Sequence, residues 1–189
     1  RAAPGARAPG AELHSGAMTL WPETHDRAAA GLEYVYPVVS RRAGGVSLGI
    51  NLNPNNACNW RCVYCQVPGL VRGKAPPIEL AKLERELESL LAPIVQGDWL
   101  ARHAPEGART LVDLAFSGNG EPTSAREFPA AVALVRAVME RFGIGESTKL
   151  VLITNGSLTH LDAVQEGLRT LARGPGEVWF KLDRATDEG

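Results

Sequence analysis

Cysteine is scarce in this 189-residue sequence, with three in all, and they fall together at positions 58, 62 and 65. An odd, clustered set excludes a secreted disulfide framework and directs attention to metal or redox chemistry. An excess of either charge is also lacking. Twenty basic side chains meet 21 acidic ones, for a formal net charge of −1. That balance excludes a broadly basic nucleic-acid surface and a polybasic membrane patch, while an RNA substrate held by a local patch stays open. No apolar run approaches the ~20 residues needed to span a bilayer. The N-terminus has no charged-then-apolar leader pattern, so the expected location is cytoplasmic, with no membrane partner.

What is present is one domain's worth of chain, 44% hydrophobic and long enough to bury a sizeable core. Residues 1–17 are set apart from it. Eleven of these 17 are Ala, Gly or Pro, and Leu13 is their only large apolar residue. Such a stretch buries too little surface to offset its ordering entropy, so a disordered tail is expected, with the core domain over 18–189. Met18 follows at once, and two origins stay open for the tail: native sequence, or translation upstream of a start at Met18. At the other end, Glu177–Asp183 reads as a strand with no closing helix after it, so a C-terminally truncated reading frame is expected.

Between these ends the pattern alternates. After a lead-in over 34–40, continuous Val/Ile/Leu/Phe runs at 46–52, 111–116, 149–153 and 178–182 suit parallel strands buried on both faces. Three helical stripes separate them. Leu80, Leu83, Leu87, Leu90 and Leu91 form the first, behind Pro76-Pro77. Phe128, Ala131, Val135, Val138 and Phe142 form the second, stopped by Gly143. Leu161, Val164, Leu168 and Leu171 form the third, before Gly174. Alternating strand and helix predicts an α/β fold with a parallel sheet and right-handed crossovers, barrel or open, with the site at the carboxyl ends of the strands.

The unusual residues sit at those ends. The segment Asn53-Pro-Asn-Asn-Ala-Cys58-Asn-Trp-Arg-Cys62-Val-Tyr-Cys65 follows the first predicted strand with C-x3-C-x2-C spacing. Three soft thiolates favour zinc or an iron–sulfur cluster. Zinc needs a fourth ligand, for which His25 or His103 would have to fold back onto the loop, whereas three ligands leave one iron of a four-iron cluster open. Strand two ends in Ser117-Gly-Asn-Gly-Glu-Pro-Thr123, whose glycines permit close approach of backbone to a ligand. Strand three ends in Thr154-Asn155-Gly156 and strand four in Lys181-Leu-Asp183. Turn chemistry alone explains Asn155 and Asp183 nearly as well as ligand contact does.

The cysteine spacing, with Tyr64 just before the last cysteine, resembles the signature of the radical S-adenosylmethionine (SAM) superfamily. The Ser47-Leu-Gly-Ile-Asn-Leu lead-in and the Gly-Glu-Pro-Thr turn resemble its wyosine-synthase-like group. The resemblance runs over about residues 34–189 and implies a partial (β/α) barrel with about four βα units present. It implies an enzyme in which Cys58, Cys62 and Cys65 hold a 4Fe-4S cluster whose open iron chelates SAM. Tyr64 would lie beside the adenine, and Gly118, Asn119, Gly120 and Glu121 would hold the methionine end, with Asn119 departing from the usual glycine. Asn155 and Asp183 would complete the cofactor contacts. The implied chemistry is reductive cleavage of SAM to a 5′-deoxyadenosyl radical, fed by an electron donor such as a flavodoxin or ferredoxin. No side chain is assigned as acid, base or nucleophile, and the substrate is undetermined. The tRNA wyosine synthases of that group carry further cysteines, which this chain lacks. A non-catalytic zinc or iron–sulfur module is the alternative.

Overall fold

The structure, a computed structural model, describes residue 20 and residues 31–181. The predicted tail at 1–17 and Asp183 lie outside the described residues. Two antiparallel strands, β1 (Val35–Ser40) and β2 (Gly45–Ile50), open the fold. They join through a turn in which Gly44 takes φ 76°, a conformation that costs glycine little, and donates its N–H to the Ser40 carbonyl. The long loop after β2 carries two short parallel strands, β3 (Ala57–Cys58) and β4 (Val71–Arg72). Then follow helices α1 (Leu80–Gln96) and α2 (Trp99–His103), strand β5 (Leu111–Phe116), helix α3 (Phe128–Arg141), strand β6 (Lys149–Thr154), helix α4 (Asp162–Leu171) and strand β7 (Gly176–Phe180).

The main sheet has the order β1-β2-β5-β6-β7, with β2, β5, β6 and β7 all parallel. Each parallel strand lies beside its predecessor, and the helix of each crossover lies against the next, α1 against α3 and α3 against α4. The fold is therefore α/β with a mostly parallel sheet, as the alternation predicts. Among the described residues the sheet does not close into a barrel, and β1 and β7 form its two ends. The lead-in is itself a strand, paired to β2, and α2 has no counterpart among the predicted helices.

Strand periodicity divides the sheet into two unlike faces. Val46, Leu48, Ile50, Leu114, Phe116, Leu150 and Leu152 point into one continuous core with Leu83, Leu87, Leu90, Phe128, Val132, Val135 and Val138 of the helices. The ring of Phe116 meets that of Phe128 edge-on, with centroids 5.8 Å apart. The opposite face carries small and polar residues. The Tyr36 ring covers Gly49, where an added Cβ would lie 2.1 Å from it, and Ser47 donates to the buried Asp113 carboxylate. One buried charge ties helix to sheet. Glu86 of α1 accepts the N–H groups of Glu33, Tyr34 and Val35, which satisfies amides at the start of β1 that have no ladder partner on that side.

Candidate functional site at the carboxyl ends of the parallel strands

Three connections leave the carboxyl ends of β2, β5 and β6 and meet there: the cysteine loop, the Ser117–Glu121 turn and the Asn155–Ser157 turn. Parallel α/β sheets bind ligands at this place because the loops diverge there and backbone groups are exposed. Here the meeting is made by asparagine side chains. Asn119 donates from Nδ2 to Asn56 Oδ1 at 2.6 Å and from its backbone N–H to Asn51 Oδ1 at 3.1 Å. Asn155 donates from Nδ2 to Asn59 Oδ1 at 3.0 Å, and Asn59 in turn donates to Ser157 Oγ at 2.7 Å. Asn53 donates to the Ala57 carbonyl at 2.9 Å and braces the loop from within. Asn56 sits at φ 54°, a left-handed position that asparagine tolerates better than most residues. The cysteine loop is thus tied to the sheet on two sides.

The sequence-predicted residues fall into this frame in different ways. Glu121 is 2% exposed and its carboxylate is committed internally. Its Oε1 accepts from the Thr123 N–H and hydroxyl and from the Thr154 hydroxyl, and its Oε2 accepts the Asn155 N–H at 2.7 Å. It therefore joins the β5 turn to the β6 turn. Gly118 takes φ 155° with Asn51 against it, and a Cβ at Gly120 would lie 2.2 Å from the Ala57 carbonyl oxygen. These glycines admit the chain's own cysteine loop rather than a gap for a ligand. Asn119 and Asn155 are the residues that reach across. Tyr64 is about half exposed on the loop, and Asp183 lies outside the described residues.

Cys58 and Cys62 are half-buried and Cys65 is exposed; none forms a disulfide. A turn links the last two, with the Cys65 N–H on the Cys62 carbonyl at 3.1 Å. Among the described residues no three His, Cys, Asp or Glu side chains are gathered in a way that would hold a metal ion. His103 stacks against Trp99 at 4.8 Å on α2, and His25 lies outside the described residues. The thiol set has the right donor chemistry for a soft metal but is not closed around one. Sequence reasoning assigned no role to Asn53 and Asn56, just before the first cysteine, or to Asn59, just after it. Their repetition in one short loop was the available signal.

Comparison with known proteins changes the reading. No protein-family model and no solved structure matches the chain. A curated protein named GTPase Obg, from Brachyspira hyodysenteriae (strain ATCC 49526 / WA1), is similar, 24% identical over 132 residues. Those residues are 70% of this chain, which spans 17% of that protein's length. The radical SAM assignment, including its wyosine-synthase-like group, is corrected accordingly: the similarity found is to a protein named for a GTPase, and no radical SAM family matches. With it go SAM cleavage as the function, tRNA wyosine-base synthesis, and the zinc or iron–sulfur module as alternative. The geometry gives a physical reason. Among the described residues the thiols are not gathered in a way that would hold a metal ion. The chain also lacks the Gly-x4-Gly-Lys-Ser/Thr loop that cradles nucleotide phosphates, so the printed name does not settle its chemistry either. Among the described residues no helix is long and apolar enough to cross a membrane.

Proposed function

We propose that this chain is a ligand-binding α/β domain whose site is the rim formed by the cysteine loop and the turns after β5 and β6. The observation that carries the reading is the bridging of a thiol-bearing loop to both neighbouring turns through Asn119–Asn56 and Asn155–Asn59. Neutral amides both donate and accept, so each bridge can exchange its partner for a polar ligand atom without stranding a buried charge. Glu121 beneath them keeps the two turns in register, which is what a preorganised site requires. The ligand that fits is small and polar, offering both hydrogen-bond donors and acceptors.

Hydrogen exchange on the whole chain tests this, with SAM, GTP, and ferrous iron plus sulfide under anaerobic conditions each supplied as a separate probe. Binding at the rim slows exchange together in 53–66, 118–121 and 154–157, and an Asn119→Ala/Asn155→Ala variant loses that joint response. A bound probe that protects other segments and leaves these three unchanged overturns the assignment.

A further inference from the structure

A second feature lies beside the asparagine bridges and shares Asn59 with them. Asn59, Trp60, Arg61, Cys62 and Arg72 line a cleft of about 320 Å³, within the size range of small-molecule sites. Arg72 is placed there by β4, whose pairing with β3 sets it opposite Cys58, and the Gly73 N–H on the Cys58 carbonyl at 3.0 Å fixes the pair. Asn59 forms a fixed wall, because its amide already holds Asn155 and Ser157. Neither guanidinium takes part in the ion pairs among the described residues, whereas Arg85, Arg102 and Arg141 each meet a carboxylate. Other arginines are outside the ion pairs too, so what marks Arg61 and Arg72 is that both line one cleft. The Trp60 indole, 37% exposed, supplies an accessible aromatic face at the same place.

From this juxtaposition we infer that the cleft binds a nucleoside di- or triphosphate, its phosphates on Arg61 and Arg72 and its base against Trp60. Guanidinium forks match phosphate oxygens in pairs, and stacking on an indole accepts any base. The cleft shares the cysteine loop with the rim site, but the inference rests on other groups, since Trp60, Arg61 and Arg72 take no part in the asparagine bridges.

Isothermal titration of the full chain with ATP, GTP, inorganic pyrophosphate and guanosine tests it. ATP and GTP bind with similar affinity, because stacking does not select the base. Pyrophosphate binds more weakly and guanosine weakest. Arg61→Ala and Arg72→Ala each weaken nucleotide binding about tenfold, equivalent to about 1.4 kcal/mol. Trp60→Leu weakens the nucleotides but leaves pyrophosphate unchanged, and Arg126→Ala, at an exposed arginine elsewhere, changes nothing. All four side chains are at the surface, so circular dichroism of each variant matches the parent. Nucleotide affinity that survives an Arg61→Ala/Arg72→Ala double variant overturns the assignment, as does the absence of ATP and GTP binding at millimolar concentration. A rim variant altered at Asn119, which touches Asn51 and Asn56 and no wall of the cleft, keeps nucleotide affinity, so failure of one site is distinguishable from failure of the other.

Discussion

The helix-covered face of the sheet and the rim at its carboxyl end are held together by different physics. Behind the sheet, Leu, Val and Phe side chains interlock, and apart from the Glu86 carboxylate at the start of β1 position is set mainly by volume. At the rim, position is set by direction. Eight asparagine, threonine and serine side chains and one glutamate hold three turns through bonds whose loss strands a specific partner. The lesson is one of tolerance. A core of this kind accepts exchanges that keep volume, whereas the rim accepts exchanges that keep donors and acceptors. A ligand site needs the second property, since its contacts must be exchangeable.

The largest effect expected from breaking either region is in the core. Phe116 is fully buried and packs edge-on against Phe128. Phe116→Ala removes that contact and leaves a cavity, so the cost is about 3–5 kcal/mol in urea unfolding. Phe116→Leu, which keeps most of the volume, costs well under half of that. Equal costs for the two variants would mean that the site collapses around the missing ring and that volume is not what positions this face.

Glu121 comes next and sharpens the contrast from the other side. Glu121→Ala leaves the Thr123 and Thr154 hydroxyls and the Asn155 N–H without their buried acceptor. The expected loss is about 3 kcal/mol, because each stranded buried donor costs about 1–3 kcal/mol and some recover water. Exchange should quicken in both turns at once. A loss confined to the β5 turn would show that Glu121 does not join the two.

Gly120→Val separates the ligand and packing roles of the glycine turn. A Cβ there meets the Ala57 carbonyl and the Asn53 side chain, so the cysteine loop must shift, at a cost of about 1–3 kcal/mol. The accessibility of Cys58, Cys62 and Cys65 to an alkylating reagent should change with it. Unaltered thiol reactivity would mean that the loop and the turn are not in the contact described.

These cases show what the sequence discloses and what it withholds. The stripes at Leu83, Leu87 and Leu90 and at Ala131, Val135 and Val138 repeat at helical spacing, and the parallel strands are unbroken apolar runs, so elements and their order follow from local pattern. The placement of the cysteine loop, the β5 turn and the β6 turn at one rim follows from topology alone. The contents of that rim do not. Asn119 meets Asn56 across 63 positions of chain, and Asn155 meets Asn59 across 96. An asparagine in a turn looks the same whether it serves its own backbone or a distant partner. Glu121 is a like case, since nothing local in the turn discloses that its carboxylate accepts from Thr154 and Asn155. The lead-in at 34–40, not counted among the predicted strands, contains β1, and its Pro37 is accommodated because β1 is an end strand.

The smallest effect concerns the other face of the sheet, where one charge is buried away from both the core and the rim. Asp113 is 2% exposed, and its burial holds the carboxyl above the usual aspartate range, offset in part by the Ser47 hydroxyl that donates to it. An acid with a raised pKa in the folded protein binds its proton more tightly folded than unfolded. Stability therefore falls as pH rises from the unfolded value of about 3.9 through the folded one, and is level above it. Asp113→Asn keeps an acceptor for Ser47 and removes the titration. The stability difference, parent minus variant, should decline as pH rises through that window and then flatten, as read by urea unfolding at a series of pH values. Glu177 and Lys149 act on Asp113 in opposite directions, so neither reverses the sign. A difference that rises with pH would show that the Ser47 hydrogen bond outweighs burial. The two sheet faces would then differ only in the size of their side chains.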